Sequence, residues 1–522
     1  VARYSFGAGI ADFVVQPSDG LWSVGAGVTV TFWDASTGGT QYTDLLDAGS
    51  TPITEVTSDE YGAVPAFFGP DGVTGMWADA GGSSRAWVEA RDAGDATAAT
   101  TAGDLIAGTG AGTVTRVGVA SDGMMLVTDS LQPAKMRWSS AWRRRDLPDP
   151  VLAETLTADT PTIQVNGPQS TSSIPSAQAK LPPDTGPFLY LGAGSFQFGA
   201  VFPDTQLYLP TSRYPNTYSS GQSNWSLEFM TDAAVFGLQF KYISSATKYR
   251  LTIDGRPVTD LPQLTGASSE GSRHELQVTF ATAKPRRIRV DFTTAPFGGL
   301  FLGPGATAWK PTSRGGRLGV LGDSISGGSD ENTGSGIGSW FYRAARQLGC
   351  TDAWNQSRGG TAYITAGGYA TFADRVAGDI SPYAFDRLIV WGGYNDSGGD
   401  QGAIGTAAEA LYATLKSEVV PGGEIYVLGC WSPIGDPPDP GTLRSTDATL
   451  QAAAVAEGLP FISPISGQIR DAAGALLDTQ GAWITTANAA TYIGGDGVHP
   501  TDAGHAYIAR RVVEALKVLM PA

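Results

Sequence analysis

Around Trp309 the spacing of apolar residues changes, and no other feature limits so strongly what this chain can fold into. Upstream, apolar and polar residues alternate, as in Phe236, Leu238, Phe240 and Tyr242. A period of two belongs to strands with one buried face. Downstream, unbroken apolar runs at Leu318 to Leu321, Arg387 to Trp391, Glu424 to Cys430 and Leu459 to Ile462 are separated by helical stretches such as Ser339 to Leu348 and Thr406 to Val420. Runs of that kind between helices belong to a parallel sheet buried on both faces. One core cannot serve both patterns, and a chain of 522 residues is long enough for about three or four domains.

The fold class that follows is multidomain. Residues 1–92 read as a small β domain, in which Val28, Val30 and Phe32 alternate with Thr29, Thr31 and Trp33. Residues 93–145, opening on an Ala, Gly and Thr-rich stretch, read as a neck, and residues 146–187 as a linker too rich in Pro, Ser and Thr to hold a core. Residues 188–310 read as a β-sandwich, jelly-roll-like and a candidate carbohydrate-binding module or an inert spacer. Within it Tyr249, Leu251 and Ile253 lead into the hairpin signal Asp254-Gly255, and Leu276, Val278 and Phe280 pair with Ile288, Val290 and Phe292 around Lys284-Pro285. Residues 315–522 read as an α/β domain closed by a helix from Thr501 to Leu519, with Ile508, Val512 and Leu516 on one stripe.

The 69 glycines, 10% aromatic and only 16% charged residues suit β-rich domains with many turns. A net charge of −16 argues against a nucleic-acid partner, which needs a clustered positive surface; Arg143 to Arg145 is short and reads as a solvated patch or a subunit contact. The two cysteines, Cys350 and Cys430, provide no disulfide framework, although a single bridge is left open. No apolar stretch is long enough to span a membrane, and the start Val1-Ala2-Arg3-Tyr4 lacks a secretory pattern and fits loss of an initiator Met.

In a parallel sheet, chemistry gathers at the carboxyl ends of the strands. The first strand of the C-terminal domain runs into Gly322-Asp323-Ser324, which holds a serine hydroxyl out on a tight turn. A later one runs into Gly392-Gly393-Tyr394-Asn395-Asp396, where Asn395 can donate to a developing oxyanion. Between them lies Asn355-Gln356-Ser357-Arg358-Gly359-Gly360-Thr361, where either glycine can offer an unobstructed N–H. Before the last helix stands Asp496-Gly497-Val498-His499-Pro500, an Asp three residues ahead of a His, as a base and its orienter require. Taken singly, each block reads equally well as a turn or a helix cap. His274 and His505 read as surface or packing residues.

Together, in this order, the four blocks resemble the GDSL family of SGNH hydrolases over roughly Leu318 to Ala522. The resemblance implies an α/β/α three-layer, flavodoxin-like domain and a serine esterase that needs no cofactor and no metal. Carried over residue by residue, Ser324 is the nucleophile, His499 the base and Asp496 its orienter. The Ser324 and Gly360 N–H groups with the Asn395 side chain form the oxyanion hole, Gly360 being the looser match beside Gly359. Asp323, Tyr363, Trp391, Tyr394 and Trp431, near predicted strand ends, are candidates to line the substrate pocket.

Thr31-Phe32-Trp33-Asp34, Thr57-Ser58-Asp59-Glu60-Tyr61-Gly62 and Asp122-Gly123-Met124-Met125-Leu126-Val127-Thr128-Asp129-Ser130 resemble minor tail or fibre proteins of phages of actinobacteria. That resemblance implies attachment to other virion tail proteins, a homo-trimer, and action on the bacterial cell surface from outside. The leading expectation is a virion-borne esterase that removes acyl groups, acetyl among them, from an envelope glycan or glycolipid. The alternatives are a receptor-binding adhesin with little turnover and a free carbohydrate esterase or lipase.

Overall fold

The computed structural model describes residues 3–8, 14–18, 21–90, 105–110, 113–117, 124–128, 136–140, 147–169, 171–181, 186–192, 195–198, 208–211, 224–242, 247–265, 271–293, 295–312, 316–419, 423–435, 437 and 441–520. It falls into two compact units, Val1–Ala120 with Thr128–Arg137, and Ser121–Val127 with Trp138–Ala522. The chain is multidomain and mostly β, with helices concentrated in the C-terminal domain. Among the described residues, no helix is long and apolar enough to cross a membrane.

In the first unit, Thr29–Trp33 pairs with Gly75–Asp79, Gln41–Tyr42 and Val56–Thr57. Its alternation buries Val30 and Phe32, which join Phe6, Leu45, Phe67 and Met76 in one small core. Most of the stretch read as a neck lies outside the described residues. What is described there is strand, Leu105–Gly110 against Thr113–Val117 and Met124–Thr128 against Met136–Ser140.

The central domain is built from two antiparallel sheets whose inner side chains share one core. Phe236, Leu238 and Phe240 from one sheet meet Leu251, Ile253, Ile288 and Val290 from the other. At the Asp254-Gly255 hairpin both residues have positive φ, 50° and 86°, the geometry that a two-residue turn of this type demands. The pairing read around Lys284-Pro285 is corrected. Arg273–Thr279 pairs with Val235–Lys241, whereas Arg286–Thr293 pairs with Asn224–Thr231 and Lys248–Ile253, so the connection crosses between sheets.

The segment read as a linker is also corrected, because it is part of the sandwich. Thr162–Asn166 extends one sheet along Arg273–Thr279, and Gln178–Lys180 pairs with Phe297–Leu302. Its polar composition needs no core of its own, since its backbone is satisfied at sheet edges and its acids meet buried cations. Glu154 accepts from Arg346 (2.7 Å) and Arg250 (2.6 Å), and Asp159 from Arg286 (2.7 Å).

The C-terminal sheet has the strand order Asp352–Asn355, Arg317–Gly322, Arg387–Trp391, Glu424–Leu428, Phe461–Ile462, all parallel. Two antiparallel strands that the sequence pattern did not announce, Gln468–Arg470 and Leu476–Thr479, extend it. Alternate strand residues feed two cores. Leu318, Val320, Ile389 and Leu428 pack with the helices Trp340–Gln347 and Asp502–Leu519, while Leu321, Val390 and Val427 pack with Phe372–Asp379, Gln401–Glu418 and Thr442–Ala456. The predicted last helix starts where expected, with the Thr501 side chain accepting from Gly504 N. The helix predicted from Thr406 begins earlier, because Asp400 caps it by accepting from Ala403 N. Cys350 and Cys430 are both buried and free.

Sandwich and α/β domain are joined by a buried ion network. Arg289 bonds Asp291 (2.7 Å), Glu228 (3.1 Å) and the Thr351 carbonyl (2.6 Å), and Arg343 and Arg346 on the helix Trp340–Gln347 reach Asp260 and Glu154. Burial alone would raise the Glu154 carboxyl, but the surrounding Arg346, Arg250 and Arg343 hold it well below the glutamate range. The stabilisation is therefore fully present above the ordinary glutamate pKa and is lost as pH falls toward the depressed folded value. Glu154→Ala strands buried guanidinium groups, and unfolding at neutral pH should show a loss of about 3–5 kcal/mol that shrinks in acid.

Candidate active site

The strand Arg317–Gly322 is covered on both faces, so the first side chain that can leave the sheet lies just past its end. Asp323 caps the short turn of helix that follows, its Oδ1 accepting from Ile325 N at 2.9 Å, and this sets Ser324 at the helix start. Ser324 Oγ lies 2.8 Å from His499 Nε2, and His499 Nδ1 bonds Asp496 Oδ2. The other Asp496 oxygen accepts the N–H groups of Val498 (2.8 Å) and His499 (2.9 Å). Burial works against the charged form of Asp496, but these bonds from His499 and Val498 outweigh it and bring its pKa down to about 2. Serine, imidazole and carboxylate therefore form one hydrogen-bonded chain across segments that are 175 residues apart at the serine–histidine contact.

Asn395 follows the strand Arg387–Trp391 on a turn entered through Gly393, whose φ of 104° a side chain would not tolerate. Its Nδ2 donates to the Thr361 carbonyl (3.1 Å) and lies 3.5 Å from Asp323 Oδ2. The next residue, Asp396, collects the N–H groups of Tyr363 (2.8 Å) and Thr365 (2.9 Å), tying the 363–365 loop to the same sheet edge. At the glycine block, a Cβ on Gly359 would stand 3.6 Å from Ser324 Cβ, and Gly360 has a φ of 75°. Gly359 is thus the one of the two that stands beside the serine, while a Cβ on Gly360 would meet Gly367 Cα at 3.8 Å.

A family model for the GDSL-like lipase/acylhydrolase family matches residues 320–507. The GDSL lipase Rv0518 of Mycobacterium tuberculosis is 31% identical over 209 residues, which cover 38% of this chain and 80% of that protein. This chain belongs to the GDSL-like lipase/acylhydrolase family. Among solved structures it is similar to the salicylyl-acyltransferase SsfX3 from a tetracycline biosynthetic pathway (16% identity, TM-score 0.47, covering 66% of this chain and 97% of that one). It is also similar to the acetyl xylan esterase Est2A of the rumen bacterium Butyrivibrio proteoclasticus (13% identity, TM-score 0.42, covering 66% and 98%).

Several residues proposed to line the pocket of this GDSL-like domain do other work. Trp391 is buried and packs edge-on against Trp340, Trp431 and Trp483, with its Nε1 donating to the Gly429 carbonyl. Trp431 is equally buried and donates to the Val498 carbonyl (3.0 Å), so it braces the histidine loop from beneath. Tyr363 is buried with its hydroxyl against that of Tyr412 (2.7 Å). Asp323 is buried too, facing Ile325 N and Asn395 instead of open space. Tyr394 alone of the set is partly exposed. His505 is a packing residue, its Nδ1 accepting from Trp340 N (3.1 Å), and burial pushes its pKa down to about 3. His274 is buried likewise, with Nδ1 beside the Ser272 carbonyl.

The Gly-x-Asn-Asp block could have pointed to Asp396, since its second acid sits at the same turn as Asn395. Glu331 carried no local signal: its carboxylate accepts the N–H groups of Gly495 (3.0 Å) and Asp496 (3.2 Å), the first of them 164 residues away in sequence.

Burial pushes the Asp323 carboxyl up to about 7 from the ordinary 3.8, against the bond from Ile325 and the charges of His499 and Arg375. A raised acid binds its proton more tightly folded than unfolded, so the chain loses stability as pH climbs from 3.8 to about 7 through this group. Asp323→Asn should flatten that fall. Relative to wild type, the variant should gain on the order of a few kcal/mol between pH 5 and pH 8 in denaturant unfolding.

Proposed function

We propose that this protein is a serine esterase that removes acyl groups, acetyl among them, from an ester-bearing glycan or glycolipid of the bacterial envelope, carried there as part of a phage tail. The observation that supports this most is the chain Ser324–His499–Asp496, with the serine and imidazole 2.8 Å apart at the carboxyl edge of a parallel sheet. In this reading the C-terminal domain is a three-layer, flavodoxin-like α/β/α unit. The jelly-roll-like sandwich presents it, and the N-terminal 1–92 domain and 93–145 neck attach and trimerise the protein.

Ser324 Oγ attacks the ester carbonyl while His499 Nε2 takes its proton, and Asp496 holds Nδ1–H and steadies the imidazolium. The negative charge that develops on the carbonyl oxygen is met by the N–H of Ser324, the N–H of Gly360 and the Asn395 amide. Asn395 Nδ2 carries two hydrogens. With one on the Thr361 carbonyl, the other is available to the oxyanion, because its contact with Asp323 lies at 3.5 Å, the limit of a hydrogen bond. The proton on His499 then passes to the leaving alcohol, and water repeats the sequence to release the acid.

Hydrolysis of nitrophenyl esters from acetate to long acyl chains tests this directly. Ser324→Ala should lose at least about a thousandfold in kcat with an unchanged melting temperature, and Asn395→Ala about a hundredfold or more. Absence of hydrolysis by wild type at every chain length would remove the esterase reading and leave an adhesin, and equal measurable rates for wild type and Ser324→Ala would remove Ser324 as the nucleophile. Sedimentation of the full chain as a stable monomer would remove the trimeric tail role while leaving the chemistry untouched.

A further inference from the structure

From the backbone contacts of the histidine loop we infer that Glu331 is a positioning residue for the proposed triad, locking the Asp496 turn to the segment that follows the nucleophile. The inference rests on the triad assignment above. Glu331 lies on the loop 329–335, a few residues beyond Ser324, and that loop is itself fixed from within. Asn332 Oδ1 accepts from Ser329 N (2.9 Å), Asn332 Nδ2 donates to the Ser335 carbonyl (3.0 Å), and Ser329 Oγ accepts the Glu331 N–H (3.2 Å). Thr333 ties the same loop to the last helix, donating its N–H and Oγ–H to the two Asp502 oxygens (2.8 Å each).

From this frame each Glu331 carboxylate oxygen takes one backbone N–H of the facing turn, Gly495 on Oε2 and Asp496 on Oε1. Both donors are main-chain groups, so the contact fixes the path of the turn that carries Asp496 and His499 rather than a mobile side-chain tip. The approach is close because residue 494 is glycine: a Cβ there would fall 2.3 Å from Glu331 Oε2. Neither bond touches the reacting atoms. Losing them frees the turn to drift relative to Ser324, and displacement of a reacting pair by about an ångström can cost up to a hundredfold in rate.

The test compares wild type, Glu331→Gln, Glu331→Ala, Gly494→Ala and the double variant Glu331→Ala/Gly494→Ala. A nitrophenyl ester gives kcat and KM, and intact-mass measurement of Ser324 phosphonylation by a fluorophosphonate gives the fraction of competent sites. Glu331→Ala should lower kcat per competent site by about tenfold or more while KM moves by less than about twofold. Gln, which keeps one acceptor but turns its amide N–H groups toward the second donor, should fall between. Gly494→Ala should reproduce the Glu331→Ala defect, and the double variant should be no worse than either single one, since both break the same contact.

A per-site kcat for Glu331→Ala within about twofold of wild type overturns the positioning role and leaves the triad standing. So does a loss confined to the fraction of competent sites, or an additive double variant. A wild type whose Ser324 resists the fluorophosphonate, or a Ser324→Ala that hydrolyses the ester at the wild-type rate, sinks the triad assignment and this inference with it.

Discussion

A sheet covered on both faces leaves its side chains nowhere to meet solvent except at the strand ends, and the arrangement of the C-terminal domain follows from that confinement. Leu318, Val320, Leu321, Ile389 and Val390 are wholly enclosed. The backbone must therefore leave the sheet at Asp323 and at Gly393 to bring Ser324 and Asn395 out of it. Aromatic packing beneath the edge keeps those turns from sinking into the core. Trp391, Trp431 and Trp483 fill the space under the site and use their indole N–H groups, where bonded, to hold neighbouring carbonyls.

A network of buried charges links the sandwich to this domain. Arg289, Asp291, Glu228 and Glu154 are largely withdrawn from water, and each is paired, as the cost of burying an isolated charge requires. Ion pairs give direction as well as attraction, so the network fixes how the helix Trp340–Gln347 sits against the sandwich. Thr293 Oγ1 bonding the Gly334 carbonyl (3.1 Å) continues that docking to the loop that carries Glu331.

Patterns with a local cause could be read from the chain. The apolar runs gave the parallel strands because burial on both faces leaves no polar positions, and Asp254-Gly255 gave its turn because few other pairs tolerate that backbone. Ser324, Asn395, Asp496 and His499 stood out because each follows a strand or precedes a helix in a short polar block. What stayed hidden depends on partners far away in sequence. The short alternation Thr162–Asn166 is lost among the Pro, Ser and Thr around it until Arg273–Thr279 offers it an edge. Strand-end aromatics such as Trp391 look the same in sequence whether they wall a pocket or fill a core, and only the packing distinguishes them. Glu331 acts on backbone groups, which leave no mark on the residue types they belong to.

Asp496 and His499 share one short turn, their side chains are bonded to each other, and the Asp496 carboxylate also accepts that turn's own N–H groups. Imidazole and carboxylate are thus a single prefabricated part. Assembling the site calls for one relative placement, this part against the serine, where three separate segments would call for two. Insertions or substitutions elsewhere in the domain can then accumulate without disturbing the imidazole–carboxylate pairing, which is made within four consecutive residues.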